Sequence, residues 1–186
     1  MENKGIFILT VAAIIVVLSV LIAHQSDFSS QITANTVRDD TMGKQLVQID
    51  TNKGVIIAEI YEEQVPVTAK NFLDLVRSGF YDGLTFHRYV PGFVIQGGDP
   101  DGDGTGGSGT TIPLEIVEGL KHDKGVLAMA RSSDPNSASS QFYITLEAAP
   151  HLDGSYAIFG RVVQGMDVVE NLRQGDVMQR VFIIEK

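Results

Sequence analysis

At 186 residues, 44% of them hydrophobic, the chain can bury one well-packed core and is too short for two domains of ordinary size. A formal charge of −9 with no cluster of Lys and Arg argues against nucleic acid as a partner, because phosphate-backbone affinity comes from cations that release counterions. With no Cys at all, disulfides and thiolate chemistry are excluded.

Ile6 to Ala23 (IFILTVAAIIVVLSVLIA) is apolar on every side, which sets it apart from the one-sided pattern of a helix packed on a globular core. Its 18 residues exceed the usual apolar region of a secretory signal and approach the length of a spanning helix. Leu21 stands where a signal-cleavage site wants a small residue. Residues 1–24 are therefore expected to form an apolar helix that anchors the chain in a lipid bilayer through residues 6–23, with a cleaved signal as the alternative. Lys4 and the free amine precede this segment, so the body is predicted on the extracytoplasmic side of the cytoplasmic membrane, or secreted if the signal is removed. Residues 25–45, rich in Ser, Thr, Asp and Gln, read as a polar tether.

Residues 46–186 carry the folded domain. LVQIDTNKGVIIAEI alternates as two strands around a turn at Asn52, Lys53 and Gly54. TAKNFLDLVRSGF follows as a helix, with Ala69, Phe72, Leu73 and Val76 on its apolar face, Thr68 as N-cap and Gly79 as stop. LTFHRYV, FVIQ, TIPLEIV, GVLAMAR, SQFYITL, YAIFGRVV and VFIIEK read as short strands, and Met166 to Gln174 as a second helix. About eight strands with two helices and few crossovers predict a mainly β fold: a closed antiparallel barrel capped by helices.

The loop QGGDPDGDGTGGSG (Gln96 to Gly109) imitates two cofactor motifs. A twelve-residue calcium loop counted from Asp99 would need its bidentate carboxylate at position 110, which is Thr110. The spacing Gly102, Gly104, Gly107 matches a dinucleotide loop, yet no helix start follows it. His24, His87, His122 and His151 share no zinc-ligand spacing, and no Ser sits in a nucleophile-elbow pattern. No metal and no cofactor is predicted.

TFHRYVPGFVIQGGD (Thr85 to Asp99), MARSSDPNSASSQFYIT (Met129 to Thr145) and HLDGSYAIFGRV (His151 to Val162) carry FHR, PGF, QGGD, SQF, LDG and FGRV in that order. On these motifs the chain resembles the cyclophilin family of peptidyl-prolyl cis/trans isomerases from about Leu46 to Lys186. The resemblance implies an eight-stranded barrel with a helix at each end, and isomerisation of Xaa-Pro bonds in proline-containing polypeptides. It implies Arg88 as the catalytic group, with Phe93, Val94, Met129, Tyr143 and Leu152 as walls of a proline slot. Gln96 and Gln141 would hold the peptide and orient the arginine, the backbone around Ala130 and Arg131 would pair with substrate, and His151 and Tyr156 would stand at the rim. His87 is expected to hydrogen-bond and brace its strand, since the reaction needs no general base.

Several positions depart from the common pattern. His151 replaces a frequent Trp, Tyr156 a frequent His and Val94 a frequent Met, and the segment Arg131 to Pro135 is longer than in compact animal members. Weak cyclosporin binding is expected, because an indole N–H and its broad apolar face are missing. The predicted activity is a monomeric prolyl isomerase that assists folding outside the cytoplasm. The alternatives are a non-catalytic proline-peptide binding module or holdase, and a structural calcium-dependent domain.

Overall fold

The computed structural model describes residues 44–184, so the expected anchor over 6–23 lies outside the described residues. Strands β1 (Gln45–Thr51) and β2 (Gly54–Ile60) form the first hairpin, and α1 (Pro66–Arg77) follows. β3 (Arg88–Val90) and β4 (Val94–Gly97) form a second hairpin, then come β5 (Val126–Met129) and β6 (Phe142–Thr145). A 3₁₀ turn (Pro150–Leu152), β7 (Ile158–Gln164), α2 (Met166–Asn171) and β8 (Met178–Ile184) complete the order. The strands make one antiparallel sheet, β3-β4-β6-β5-β7-β2-β1-β8, curled into a half-barrel.

The closed ladder expected from the sequence is not formed: β3 and β8 are the two edges of the sheet. Pro91 and Gly92 force a tight turn that leaves β3 only three residues long, with Gly92 at φ +67° and Phe93 N–H donating to the Val90 carbonyl at 3.0 Å. The gap is spanned by the segment before β3, through an isolated bridge between Thr85 and Val177. Phe86 N–H donates to Asp176 O and Met178 N–H to Leu84 O, each at 2.8 Å. Edge amides there are thus satisfied without a full ladder.

Phe72 from α1 lies at the centre of the core, with ring centroids 4.8 Å from Phe159, 5.2 Å from Tyr81 and 5.5 Å from Phe142. Leu73 and Val76 from α1, Val169 from α2 and Leu172 just beyond it join the same cluster. Each such side chain contributes about 1.5–3 kcal/mol by leaving water.

Helix α1 begins two residues before the predicted cap. Thr68 is fully buried inside the helix, Pro66 occupies the first turn, and Val65 offers no side-chain cap. The free amides are met from a distance by Glu115, which accepts from Val67 N–H at 3.2 Å, Thr68 N–H at 2.5 Å and the Thr68 hydroxyl at 2.6 Å. A carboxylate at a helix N-terminus is favoured by both hydrogen bonding and the macrodipole. Glu115 belongs to TIPLEIV, which forms no strand; only Ile112 makes a single bridge, to Ala138. At the other end Gly79 does stop the helix: at φ +71° it donates to Val76 O, while Phe80 N–H donates to Leu75 O, each at 3.0 Å. α2 ends at Asn171 rather than Gln174, because Leu172 turns extended and buries its side chain and Asp176 takes the Arg173 N–H at 2.7 Å.

His87 does not brace its strand. Both ring nitrogens are shielded from solvent without a well-formed hydrogen bond, and burial holds its pKa below the ordinary value against the opposing pulls of Asp99, Asp103 and the nearby Gln141 side chain. A histidine with a depressed folded pKa binds fewer protons than it does unfolded, so its contribution to stability is full above about pH 6.5 and is lost as the pH falls from there through the lower folded pKa. His87→Gln is therefore expected to flatten the decline of melting temperature between about pH 7 and 5; a decline as steep as in the parent protein would show that the titrating group lies elsewhere. Glu115→Ala is expected to cost about 1–2 kcal/mol in urea unfolding, with an unchanged m-value, by stripping the cap from α1.

Candidate active site

Alternation along three adjacent strands builds two surfaces at once. Ile95, Leu127 and Phe142 point into the core, while Val94, Ala128 and Tyr143 form a second cluster on the opposite face with Val126 and Ile158. Phe93, Leu152 and Tyr156 pack against that cluster, half-buried. Between them lies a cleft of about 200 Å³ lined by Arg88, Phe93, Val94, Gln96, Ala130, Arg131, Tyr143, Leu152 and Tyr156. Nine of the predicted site residues therefore share one depression.

The remaining three lie around it. Gln141 lines an adjoining polar cavity of about 240 Å³, which shares Gln96, Ala130 and Arg131 with the first. His151 is exposed on the 3₁₀ turn and stacks on Phe93, centroids 5.3 Å apart. Met129, expected as a wall of the slot, instead packs in the core at 1% exposure, because it shares the inward register of Leu127. Its neighbour Ala130 lines the cleft.

Arg88 opens β3 and pairs in register with Gln96 on β4. Its guanidinium donates to Gln96 Oε1 at 3.1 Å, Gln96 Nε2 donates to Gln141 Oε1 at 2.9 Å, and Gln141 Nε2 donates to the carbonyls of Gly104 and Gly106 at 3.0 and 2.9 Å. Each amide is thereby fixed in one orientation, since reversing it would set donor against donor. The far end of the chain rests on the acidic loop. There Asp99, 1% exposed, turns its carboxylate inward to accept from Asp101 N–H at 3.0 Å and Gly104 N–H at 2.5 Å. Gly106 must be glycine: a Cβ would stand 2.1 Å from Asp99 Oδ1. Of the three glycines whose spacing imitates a dinucleotide loop, Gly104 turns its amide to the protein's own carboxylate. Among the described residues, no three His, Cys, Asp or Glu side chains are grouped to hold a metal.

Arg131 is held differently. Its Nε and Nη2 donate to Ser155 O at 3.2 and 2.9 Å, Nη1 donates to Ser132 O at 2.8 Å, and its guanidinium lies 4.7 Å from the centre of the Tyr156 ring. Arg88 is an exposed guanidinium in the cleft lining that donates to the side chain of Gln96 and has further N–H groups beyond that bond.

Two residues with no assigned role stand behind the cleft. His122, 1% exposed, is 2.9 Å from Asp153 Oδ1 through Nδ1 and 3.0 Å from the Tyr143 hydroxyl through Nε2. The His122 backbone N–H and ring hold Asp153 below the usual carboxylate range, and burial pushes the Tyr143 phenol well above its ordinary value. The sequence offers no sign of this trio, since 31 residues separate His122 from Asp153 and 21 separate it from Tyr143.

Comparison with known proteins bears directly on this site. The family described as cyclophilin type peptidyl-prolyl cis-trans isomerase/CLD matches residues 46–185. Peptidyl-prolyl cis-trans isomerase B of Bacillus subtilis is 48% identical over 134 residues, 71% of this chain and 91% of the relative. A peptidyl-prolyl cis-trans isomerase-like 1 from Rhizopus delemar is 46% identical over 149 residues, 77% of this chain and 90% of the relative. A Cryptosporidium parvum cyclophilin crystallised in the presence of the dipeptide Ala-Pro superposes with a TM-score of 0.71 at 38% identity, covering 76% of this chain and all of that one. With a family match over residues 46–185, the chain belongs to the cyclophilin type peptidyl-prolyl cis-trans isomerases, enzymes that exchange the cis and trans forms of Xaa-Pro bonds.

Proposed function

We propose that Arg88 is the catalytic residue of this isomerase and that the cleft beside it receives the proline ring. The carrying observation is the hydrogen-bonded run Arg88–Gln96–Gln141, anchored on the Asp99 loop, at the edge of an apolar cleft. An Xaa-Pro bond prefers trans by only about 0.5–1 kcal/mol, but resonance places about 18–20 kcal/mol between the two forms. At the top of that barrier the amide is twisted, and the proline nitrogen is pyramidal with its lone pair restored. A charged N–H aimed at that lone pair binds the twisted state more tightly than either planar one.

A guanidinium suits this task because it stays charged and presents rigid N–H vectors. Gln96 holds it in place before substrate arrives, so little reorganisation is needed at the moment of twisting. Phe93, Val94, Tyr143 and Leu152 grip the ring and keep water from the amide, while Ala130 and Arg131 lie where the flanking peptide backbone passes. The Ala-Pro dipeptide named with the Cryptosporidium relative supports a proline-containing peptide as the ligand class. An acceleration of about a hundred-thousandfold would require about 7 kcal/mol, shared between the arginine and the slot.

The apolar run Ile6 to Ala23 and the polar stretch after it support a cellular setting: a monomeric enzyme tethered on the extracytoplasmic side of the cytoplasmic membrane, acting on exported chains. Among the described residues no helix is long and apolar enough to cross a membrane. The anchor therefore rests on residues 6–23 alone. Membrane fractionation with intact-mass measurement is expected to find the uncut chain in the membrane fraction; a soluble product lacking its first two dozen or so residues would replace the anchor with a cleaved signal.

In NMR exchange or protease-coupled assays on short Xaa-Pro peptides, Arg88→Ala is expected to lower the catalysed rate by about a hundredfold or more, or about 3 kcal/mol, while peptide binding changes little. Equal rates in parent and variant would remove Arg88 from the reaction. Peptide binding without any exchange in the parent protein would instead mark a binding module.

A further inference from the structure

We propose that His122 is a positioning residue for the proline cleft: with Asp153 it forms a hydrogen-bonded relay that holds the Tyr143 ring in place and locks the two opposing walls together. The inference rests on the reading that Tyr143 lines the slot for the proline ring.

Tyr143 enters the cleft from β6 and Leu152 from the 3₁₀ turn, on separate parts of the chain. His122 is bonded to Tyr143 and to Ala149 and Asp153, the two residues that flank that turn. Its backbone N–H donates to Asp153 Oδ1 at 2.8 Å and its carbonyl accepts from Ala149 N–H at 2.7 Å, so the main chain clasps the turn from either side. Its ring then reaches Tyr143, the two rings lying nearly parallel at 18° with centroids 6.1 Å apart.

The proton arrangement follows from what each group can do. An ionised carboxylate only accepts, so His122 Nδ1 carries the hydrogen toward Asp153. In the neutral ring Nε2 is then an acceptor, and the Tyr143 hydroxyl donates to it. The second oxygen of Asp153 is 3.5 Å from Lys121 Nζ, which leaves both carboxylate oxygens engaged. Tyr143 is 5% exposed, and among the described residues its hydroxyl has no acceptor other than His122. Losing that acceptor would leave a buried O–H unpaired, which the ring can relieve only by moving.

A fixed wall favours binding because the slot is already shaped when the proline arrives. Arg88 is the group that meets the twisting nitrogen directly, whereas Tyr143 meets the ring. The relay should therefore act more on affinity than on the exchange step.

The test is NMR titration of the parent protein, His122→Phe, Tyr143→Phe and the double variant with a short Xaa-Pro peptide, reading dissociation constant and bound-state exchange rate separately. Each single variant is expected to weaken binding about threefold with exchange altered less than twofold, the reverse of the split expected for Arg88→Ala. The double variant should be no weaker than His122→Phe alone, because the bond that Tyr143→Phe removes is already lost with the imidazole. Unchanged affinity in Tyr143→Phe overturns the relay, and so do effects that multiply in the double variant, or losses that track only the unfolded fraction. If His122→Phe does not fold, Tyr143→Phe, which removes one oxygen and keeps the ring, decides alone. Peptide that leaves the Tyr143 ring resonances of the parent unmoved overturns the placement of the slot, and the relay with it; moved resonances with unaltered variant affinities overturn the relay only.

Discussion

The two-residue period of β4, β5 and β6 is the constraint on which the site depends. Phe142 faces the core, where it meets Phe72 at 5.5 Å, so its neighbour Tyr143 must face the cleft. Val94 beside Ile95 and Ala128 beside Leu127 obey the same rule. A slip of one residue would push a phenol into the aromatic core and a phenyl ring into the slot. The packing around Phe72 thereby sets the register of the cleft as well as the stability of the barrel.

Across that frame, polar groups are used to fix orientation more than to add stability. Arg88 is aimed by Gln96, Gln96 by Gln141, and Gln141 by two carbonyls of a loop wound on Asp99. The loop resembles an anion cradle because it is one: amides converge on a carboxylate, as they would on a phosphate, but the carboxylate belongs to the chain. Behind the opposite wall, Asp153, His122 and Tyr143 repeat the strategy with a carboxylate, an imidazole and a phenol. Both runs end on a backbone segment, so a side chain at the cleft inherits the rigidity of the fold.

Local features were legible in the residues and remote ones were not. Asn52 to Gly54 turned the first hairpin, Gly79 ended α1, and the FHR, PGF, QGGD and SQF blocks marked the strands of the cleft. Each is decided by neighbours a few positions apart. The N-cap of α1 escapes a local reading because its carboxylate comes from Glu115, 47 residues from Thr68. TIPLEIV has the composition of a strand, yet its glutamate is taken up by the helix and its backbone finds no partner strand beyond one bridge. The family resemblance implies Met129 as a slot wall, whereas alternation from Leu127 turns it inward.

The sequence by itself determined the strand and helix content, the family, and the group of side chains from which a proline slot could be made, because propensity, turn chemistry and ordered motifs are short-range properties of a chain. Only the tertiary structure decided which of those side chains face one another, that the sheet ends at β3 and β8 without a continuous ladder, and that His122 and Asp153 stand behind the slot. Those outcomes depend on hydrogen bonds and packing between residues distant in the chain, where spacing carries no information and the register of one strand on another selects the partners.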